Sequence, residues 1–180
     1  MNDPSRSQLL KLARTSINYY LNNHRYYVLE DLEDPGLLEE RAIFVTLHKA
    51  GELRGCIGHM LARMPLYKAV IEMAAAAAFD DPRFPSLLEE ELDKIKIEIS
   101  ILSPMSRIYD YRKICLGTDG VLIRKGFQSG VYLPQVASET GWDLDTFLQS
   151  LCASKAGLPA EAYKDADTEI SVFQVDKFSE

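Results

Sequence analysis

The stretch Leu53-Arg54-Gly55-Cys56-Ile57-Gly58 places a guanidinium, a thiol and two glycines within six residues, and His59 follows it directly. A thiol becomes a nucleophile only as the thiolate, and a permanent cation nearby is one of the few ways to favour that form at neutral pH. Strand geometry tests whether the two can meet. With a hairpin turn at Lys49 to Glu52, His48 opposes Leu53 and Val45 opposes Cys56. Period-two alternation then predicts Arg54, Cys56 and Gly58 on one face, shared with Val45 and Leu47, with the alpha carbons of Arg54 and Cys56 about 6.5–7 Å apart. A charged group so placed demands a partner or a ligand. Gly55 and Gly58 leave the backbone bare for close approach. His59 is a candidate base for Cys56 only if Gly58 breaks the alternation, which otherwise sends it to the opposite face. Further on, Asp81 and Arg83 follow a helix end whose exposed carbonyls disfavour acids. Asp81 or Glu98 is the candidate to orient Arg54, leaving donors free for an anionic ligand. The structural alternative makes Cys56 a small core residue, Arg54 an ion-pair donor and Asp81-Pro82 an ordinary turn.

The elements that must position these residues are legible from periodicity. Asp3-Pro4 starts a helix, and Leu9, Leu10, Ala13, Ile17, Tyr20 and Leu21 carry it through residues 4–23. Acids crowd residues 30–40 (Glu30, Asp31, Glu33, Asp34, Glu39, Glu40), and Asp34-Pro35-Gly36 marks a turn in a solvated connection. Ala42 to His48 and Leu53 to Gly58 form the hairpin. Pro65 opens a helix through the run Ala74 to Ala78, which ends at Asp80-Asp81-Pro82. Ile95, Ile97, Ile99 and Ile101 alternate with polar residues as a half-buried strand.

The second half repeats that order. Val121 to Lys125 and Gly130 to Leu133 flank a turn, Pro134 opens a helix, and Glu169 to Val175 closes as a strand. Gly141 ends one helix and Asp143 caps the next, with Trp142 and Phe147 as a hydrophobic staple. Gly157 stops that helix. The expected fold is α+β, two related halves of about residues 1–102 and 103–180 within a single domain, each built as hairpin, helix and strand.

Lys+Arg 20 against Asp+Glu 27 gives a net charge of -7, which opposes the phosphate attraction behind generic nucleic-acid binding. No apolar segment is long enough to span a membrane, and the N-terminus carries no signal core, so the expected location is the cytoplasm. Cys56, Cys115 and Cys152 are scattered and odd in number, which suits a reducing compartment. No cofactor pattern and no metal-type His/Cys spacing is present.

Six blocks resemble the AMMECR domain family in the family's order. They are Phe44-Val45-Thr46-Leu47, Leu53-Arg54-Gly55-Cys56-Ile57-Gly58, Asp80-Asp81-Pro82-Arg83-Phe84, Ile97-Glu98-Ile99-Ser100, Leu133-Pro134-Gln135-Val136 and Lys155-Ala156-Gly157-Leu158. The resemblance implies a two-part fold on largely antiparallel sheet, with the Arg-Gly-Cys segment at a cleft between the parts. It implies no established activity. It also suggests a shared pathway with Memo-like and radical-SAM-like proteins, which prokaryotic members often neighbour. The expected function is a ligand-binding or thiol-bearing site with Cys56 and Arg54 as its catalytic pair and Gly55, Gly58, His59, Asp81, Arg83 and Glu98 lining it. The partner would be a small anionic ligand or another protein. A non-enzymatic adaptor is the alternative class, and a nucleic-acid-associated factor the third.

Overall fold

A computed structural model of the chain describes residues 3–29 and 34–180. Its chain divides into two compact units, Met1–Leu102 with Asp176–Glu180, and Ser103–Val175.

In the first unit, helix α1 (Asp3–Asn23) buries the 3.6-period stripe Leu9, Leu12, Ala13, Ser16 and Ile17. A single helical turn, α2 (Pro35–Leu38), is capped by Asp34, whose carboxylate accepts the Gly36 amide at 2.9 Å. The expected turn is therefore helical and inserts Leu37 into the core. Glu30, Asp31 and Glu33 of the acidic connection lie outside the described residues.

Strands β1 (Ala42–Lys49) and β2 (Glu52–His59) form the hairpin, with Ala50 and Gly51 at positive φ in its turn. Helix α3 (Leu66–Phe79) then carries five consecutive buried alanines, and β3 (Ile95–Leu102) returns antiparallel beside β1. The isoleucines of β3 oppose Lys49, Leu47, Val45 and Ile43, and that face packs on α1 and α3.

The second unit repeats the scheme. After the short β4 (Ser106–Ile108), β5 (Gly120–Lys125) and β6 (Gln128–Tyr132) form a hairpin. Helices α4 (Pro134–Thr140) and α5 (Leu144–Ser150) follow, and the chain runs on as a wide helical turn over Leu151–Ala156. Asp143 caps α5 by accepting the Thr146 amide at 2.8 Å, and Phe147 is fully buried in the core that the partly buried Trp142 packs against. Gly141 and Gly157 take the left-handed conformation that ends these helices. Strand β7 (Glu169–Phe173) pairs antiparallel with both β5 and β4.

The last strand, β8 (Val175–Ser179), joins the first sheet rather than closing the second half. Glu180 beyond it accepts from Arg14 of α1 at 2.7 Å and from the Ile97 amide at 3.1 Å, which fastens the C-terminus to the first unit. The strand orders are β2-β1-β3-β8 and β4-β7-β5-β6. Read from the second hairpin strand, both run hairpin partner, hairpin start, return strand, added strand.

The likeness extends to packing. A Cβ on Gly55 of β2 would lie 2.0 Å from the Ala77 carbonyl oxygen, and one on Gly130 of β6 would lie 2.6 Å from the Ala156 amide nitrogen. In each unit a bare glycine on the second hairpin strand lets the following helix close onto the sheet.

Candidate functional site

The hairpin register departs from regular alternation at one residue. His48 opposes Leu53 as expected, but Leu47 opposes Gly55, so Arg54 is the extra residue of a β-bulge. Every pairing beyond it shifts by one. Cys56 opposes Thr46, and Val45 opposes Ile57. The expectation that Cys56 faces Val45 and shares a face with Arg54, Val45 and Leu47 is thus corrected. Cys56 is on the face away from α1 and α3, in a row with Thr46 and Glu98.

Arg54 is not held by Asp81 or Glu98. Its Nε and Nη2 donate to the two carboxylate oxygens of Glu91 at 3.1 and 2.9 Å, and Lys49 Nζ donates to the same carboxylate at 2.7 Å. Glu91 is the last residue of a short helical turn, Glu89–Glu91, ahead of β3, and also accepts the Leu88 amide at 3.0 Å. Both Arg54 and Glu91 are buried. The Arg54 guanidinium foremost, with Lys49 and the Leu88 amide, holds the Glu91 carboxyl well below the usual carboxylate range against the opposing effect of burial. Arg54 Nη1 is buried without a hydrogen-bond partner among the described residues.

Asp81 and Arg83 meet Cys56 instead. β2 is an edge strand, and an edge exposes unpaired amides and carbonyls. Asp81 Oδ2 accepts the Cys56 amide at 2.8 Å, and Arg83 Nη2 donates to the Cys56 carbonyl at 3.1 Å. The pair supplies the donor and acceptor that a neighbouring strand would have supplied. Within the pair, Arg83 Nε and Nη2 donate to Asp81 at 2.9 and 2.7 Å, and the Arg83 amide donates to it at 3.1 Å. These bonds explain why an acid follows α3 despite the helix end. Arg83 first, and then the backbone amides, hold the buried Asp81 carboxyl well below its usual range. The Arg83 guanidinium is pushed up chiefly by Asp81, and the neighbouring Cys56 sulfur contributes in the same direction.

The Cys56 thiol is half-buried, and Thr46 Oγ1 donates to its sulfur at 3.2 Å. The Cys56 amide and carbonyl point away from β1, so Cys56 and Thr46 are a non-hydrogen-bonded pair, whose side chains approach closely and bring hydroxyl and sulfur together. Glu98 is beyond Thr46 in the row and pairs with Lys177 of β8 at 2.9 Å. Arg83 is half-exposed, and its Nη1 makes no hydrogen bond among the described residues. The outer face therefore presents a thiol, a hydroxyl and a clamped guanidinium, with a carboxylate one strand away.

The remaining candidates fall elsewhere. Gly58 opposes Phe44, and a Cβ there would lie 2.5 Å from the Phe44 ring, so its open side is filled by the protein itself. Gly55 is likewise closed by α3. His59 opposes Ile43, so alternation continues through Gly58 and sends the imidazole to the face opposite Cys56. Both its ring nitrogens are buried without a partner among the described residues. Cys152 is fully buried, and burial pushes its thiol up, while Cys115 is exposed.

Sequence reasoning singled out neither Glu91 nor Thr46. Glu91 is the third acid of Glu89-Glu90-Glu91, a run that looks solvated throughout. Its spacing from Leu88, suited to capping a helical turn, is the one local signal that sets it apart. Thr46 follows once the bulge is known. No group of three or more His, Cys, Asp or Glu side chains able to hold a metal ion occurs among the described residues, and no helix there is long and apolar enough to cross a membrane.

A sequence model of the AMMECR1 family matches residues 10–178. A Thermococcus gammatolerans protein is 44% identical, with 96% of this chain and 88% of that protein covered. A Methanothermobacter thermautotrophicus protein is 41% identical, covering 96% and 92%. The crystal structure of an uncharacterised Pyrococcus horikoshii protein, PH0010, superposes with a TM-score of 0.84 at 40% identity, covering 96% of this chain and 89% of that one. The shared sequence, matched from the first helix to the last strand, and the shared fold place this chain in the AMMECR1 family.

Proposed function

We propose that the outer face of the first sheet is a thiol site for a small anionic molecule, with Cys56 as the reacting group and Arg83, rather than Arg54, as the cation that receives the anion. The observation that carries this reading is the double hold of Asp81 and Arg83 on the Cys56 backbone, which ties the guanidinium to the residue that bears the thiol. Thr46 Oγ1 and Arg83 Nη1 are the donors available to a sulfur anion and to a carboxylate or phosphate. In the enzymatic form Cys56, its proton lost to solvent, forms an S–C bond to an electrophilic carbon of that ligand while the group displaced from that carbon leaves with its bonding pair. Arg54, Lys49 and Glu91 support the bulge that turns Cys56 outward, and are positioning residues.

A binding module without chemistry is the second reading, and one observation favours it. The two glycines of the signature are filled by Ala77 and Phe44, so the motif is explained in part as architecture. Alkylation rates of the three cysteines near pH 7, followed by mass spectrometry, separate the readings. A thiol site predicts that Cys56 reacts faster than the more exposed Cys115, with Cys152 slowest. A Cys56 slower than Cys115 leaves the binding module.

A further inference from the structure

We propose that the second unit carries a separate binding site for a small molecule that combines a planar ring with an anionic group, of the class of a nucleoside monophosphate. The site is a cavity of about 310 Å³ between β4 with the turn after it and the segment Tyr163 to Thr168. That volume is at the lower end for small-molecule sites, which fits one nucleotide-sized ligand. It is independent of the thiol site.

The uncommitted side-chain groups of its wall are mainly donors. Asp110 accepts from Arg112 Nε and Nη2 at 2.8 and 3.2 Å, and Asp165 is engaged from outside the cavity by Lys125 at 2.7 Å. Asp110 is thus already matched to a cation, while Asp165 shares Lys125 with Asp167, which lies 2.9 Å from the same ammonium. Arg112 Nη1 makes no hydrogen bond among the described residues, and Arg107 meets Glu169 through Nη1 alone, at 2.9 Å. A ligand entering here must bring acceptors, and a phosphate suits a guanidinium already oriented by a carboxylate.

The aromatic side chains set the ring requirement. Tyr109 is 91% exposed, which is unusual for a large ring at a cavity mouth. The Arg107 guanidinium sits 5.4 Å over it, and its other face is open to stack a planar partner. Tyr111 is held edge-on against Tyr163 at 5.0 Å, and Tyr163 is itself fixed by donating to Asp145 at 2.9 Å. One wall is therefore rigid and the other presents a free ring.

Amide chemical shifts of the full chain, titrated with AMP, adenosine and inorganic phosphate, test this. The expected result is saturable shifts confined to residues 107–112 and 163–170, with AMP binding about tenfold tighter than either fragment. Tyr109→Ser and Arg112→Gln should each weaken AMP by about fivefold or more at an unchanged thermal midpoint, since both side chains are exposed. Adenosine binding as tightly as AMP would remove the anion requirement, and phosphate binding as tightly would remove the ring. Either result overturns the proposal, as do shifts elsewhere, no saturation by about 5 mM, or variants that bind like wild type.

Discussion

The carboxylate of Asp81 accepts the backbone amide of Cys56 at 2.8 Å, so a residue just past the end of α3 stands in for a strand beside the edge of the sheet. Asp81→Ala should leave that amide and Arg83 without their shared acceptor. The loss of a buried charged acceptor is expected to destabilise the protein by about 1–3 kcal/mol, read from urea unfolding. An unchanged midpoint would mean that the edge needs no such cap.

Acid should unfold the protein through two carboxylates. Asp81 and Glu91 are both held well below their usual range when folded, by Arg83 and Arg54 respectively. Below about pH 4 the unfolded chain binds protons that the folded chain refuses, so the stability these pairs contribute is complete at neutral pH and is lost as pH falls. The urea midpoint of wild type should drop steadily from about pH 5 to pH 3, and Asp81→Asn should flatten part of that slope. A wild-type midpoint that holds steady across this range would contradict the assignment.

Arg54→Met should be costly for stability. It leaves Glu91 buried with Lys49 as its remaining cation. A loss of about 3 kcal/mol is expected, the lower end for a broken buried pair because Lys49 stays in place. Replacing both members, Arg54→Met with Glu91→Leu, should recover part of that loss. A single variant as stable as wild type would show that the pair does not hold the bulge.

Gly55→Ala should reverse the usual sign. Alanine for glycine in a strand ordinarily stabilises by a few tenths of a kcal/mol to about 1 kcal/mol. Here the methyl would lie 2.0 Å from the Ala77 carbonyl oxygen, so α3 must move. A loss of about 1–3 kcal/mol is expected from thermal unfolding, and Ala76→Leu on the same helix should act in the same direction. A more stable Gly55→Ala variant would contradict the close approach.

The hairpins, the alanine helix and the isoleucine strand were legible because each rests on local periodicity and turn chemistry. The α+β fold and the repeated order of elements followed from them. The bulge was not legible, since Arg54 fits an alternating pattern as well as Leu53 or Gly55 does. That single residue reverses which side chain faces Cys56. Arg54 and Glu91 are 37 positions apart, and only the spacing from Leu88 distinguishes Glu91 from the two exposed acids before it. Asp81 and Arg83 were identified as candidates, but Asp81 was expected to orient the Arg54 side chain. Their actual target includes the Cys56 backbone, because the strand order that makes β2 an edge is a tertiary fact. The same holds for β8, whose β-rich sequence says nothing of which sheet it joins.

The most direct measurement of the central claim is the ratio of alkylation rates of Cys56 with anionic iodoacetate and neutral iodoacetamide, in wild type and Arg83→Gln. The ratio cancels differences in exposure and leaves the effect of the nearby guanidinium. The account predicts a ratio at Cys56 several-fold above that at Cys115, falling to about the Cys115 value in Arg83→Gln. A Cys56 ratio equal to that of Cys115 in wild type, or one indifferent to Arg83, would contradict it.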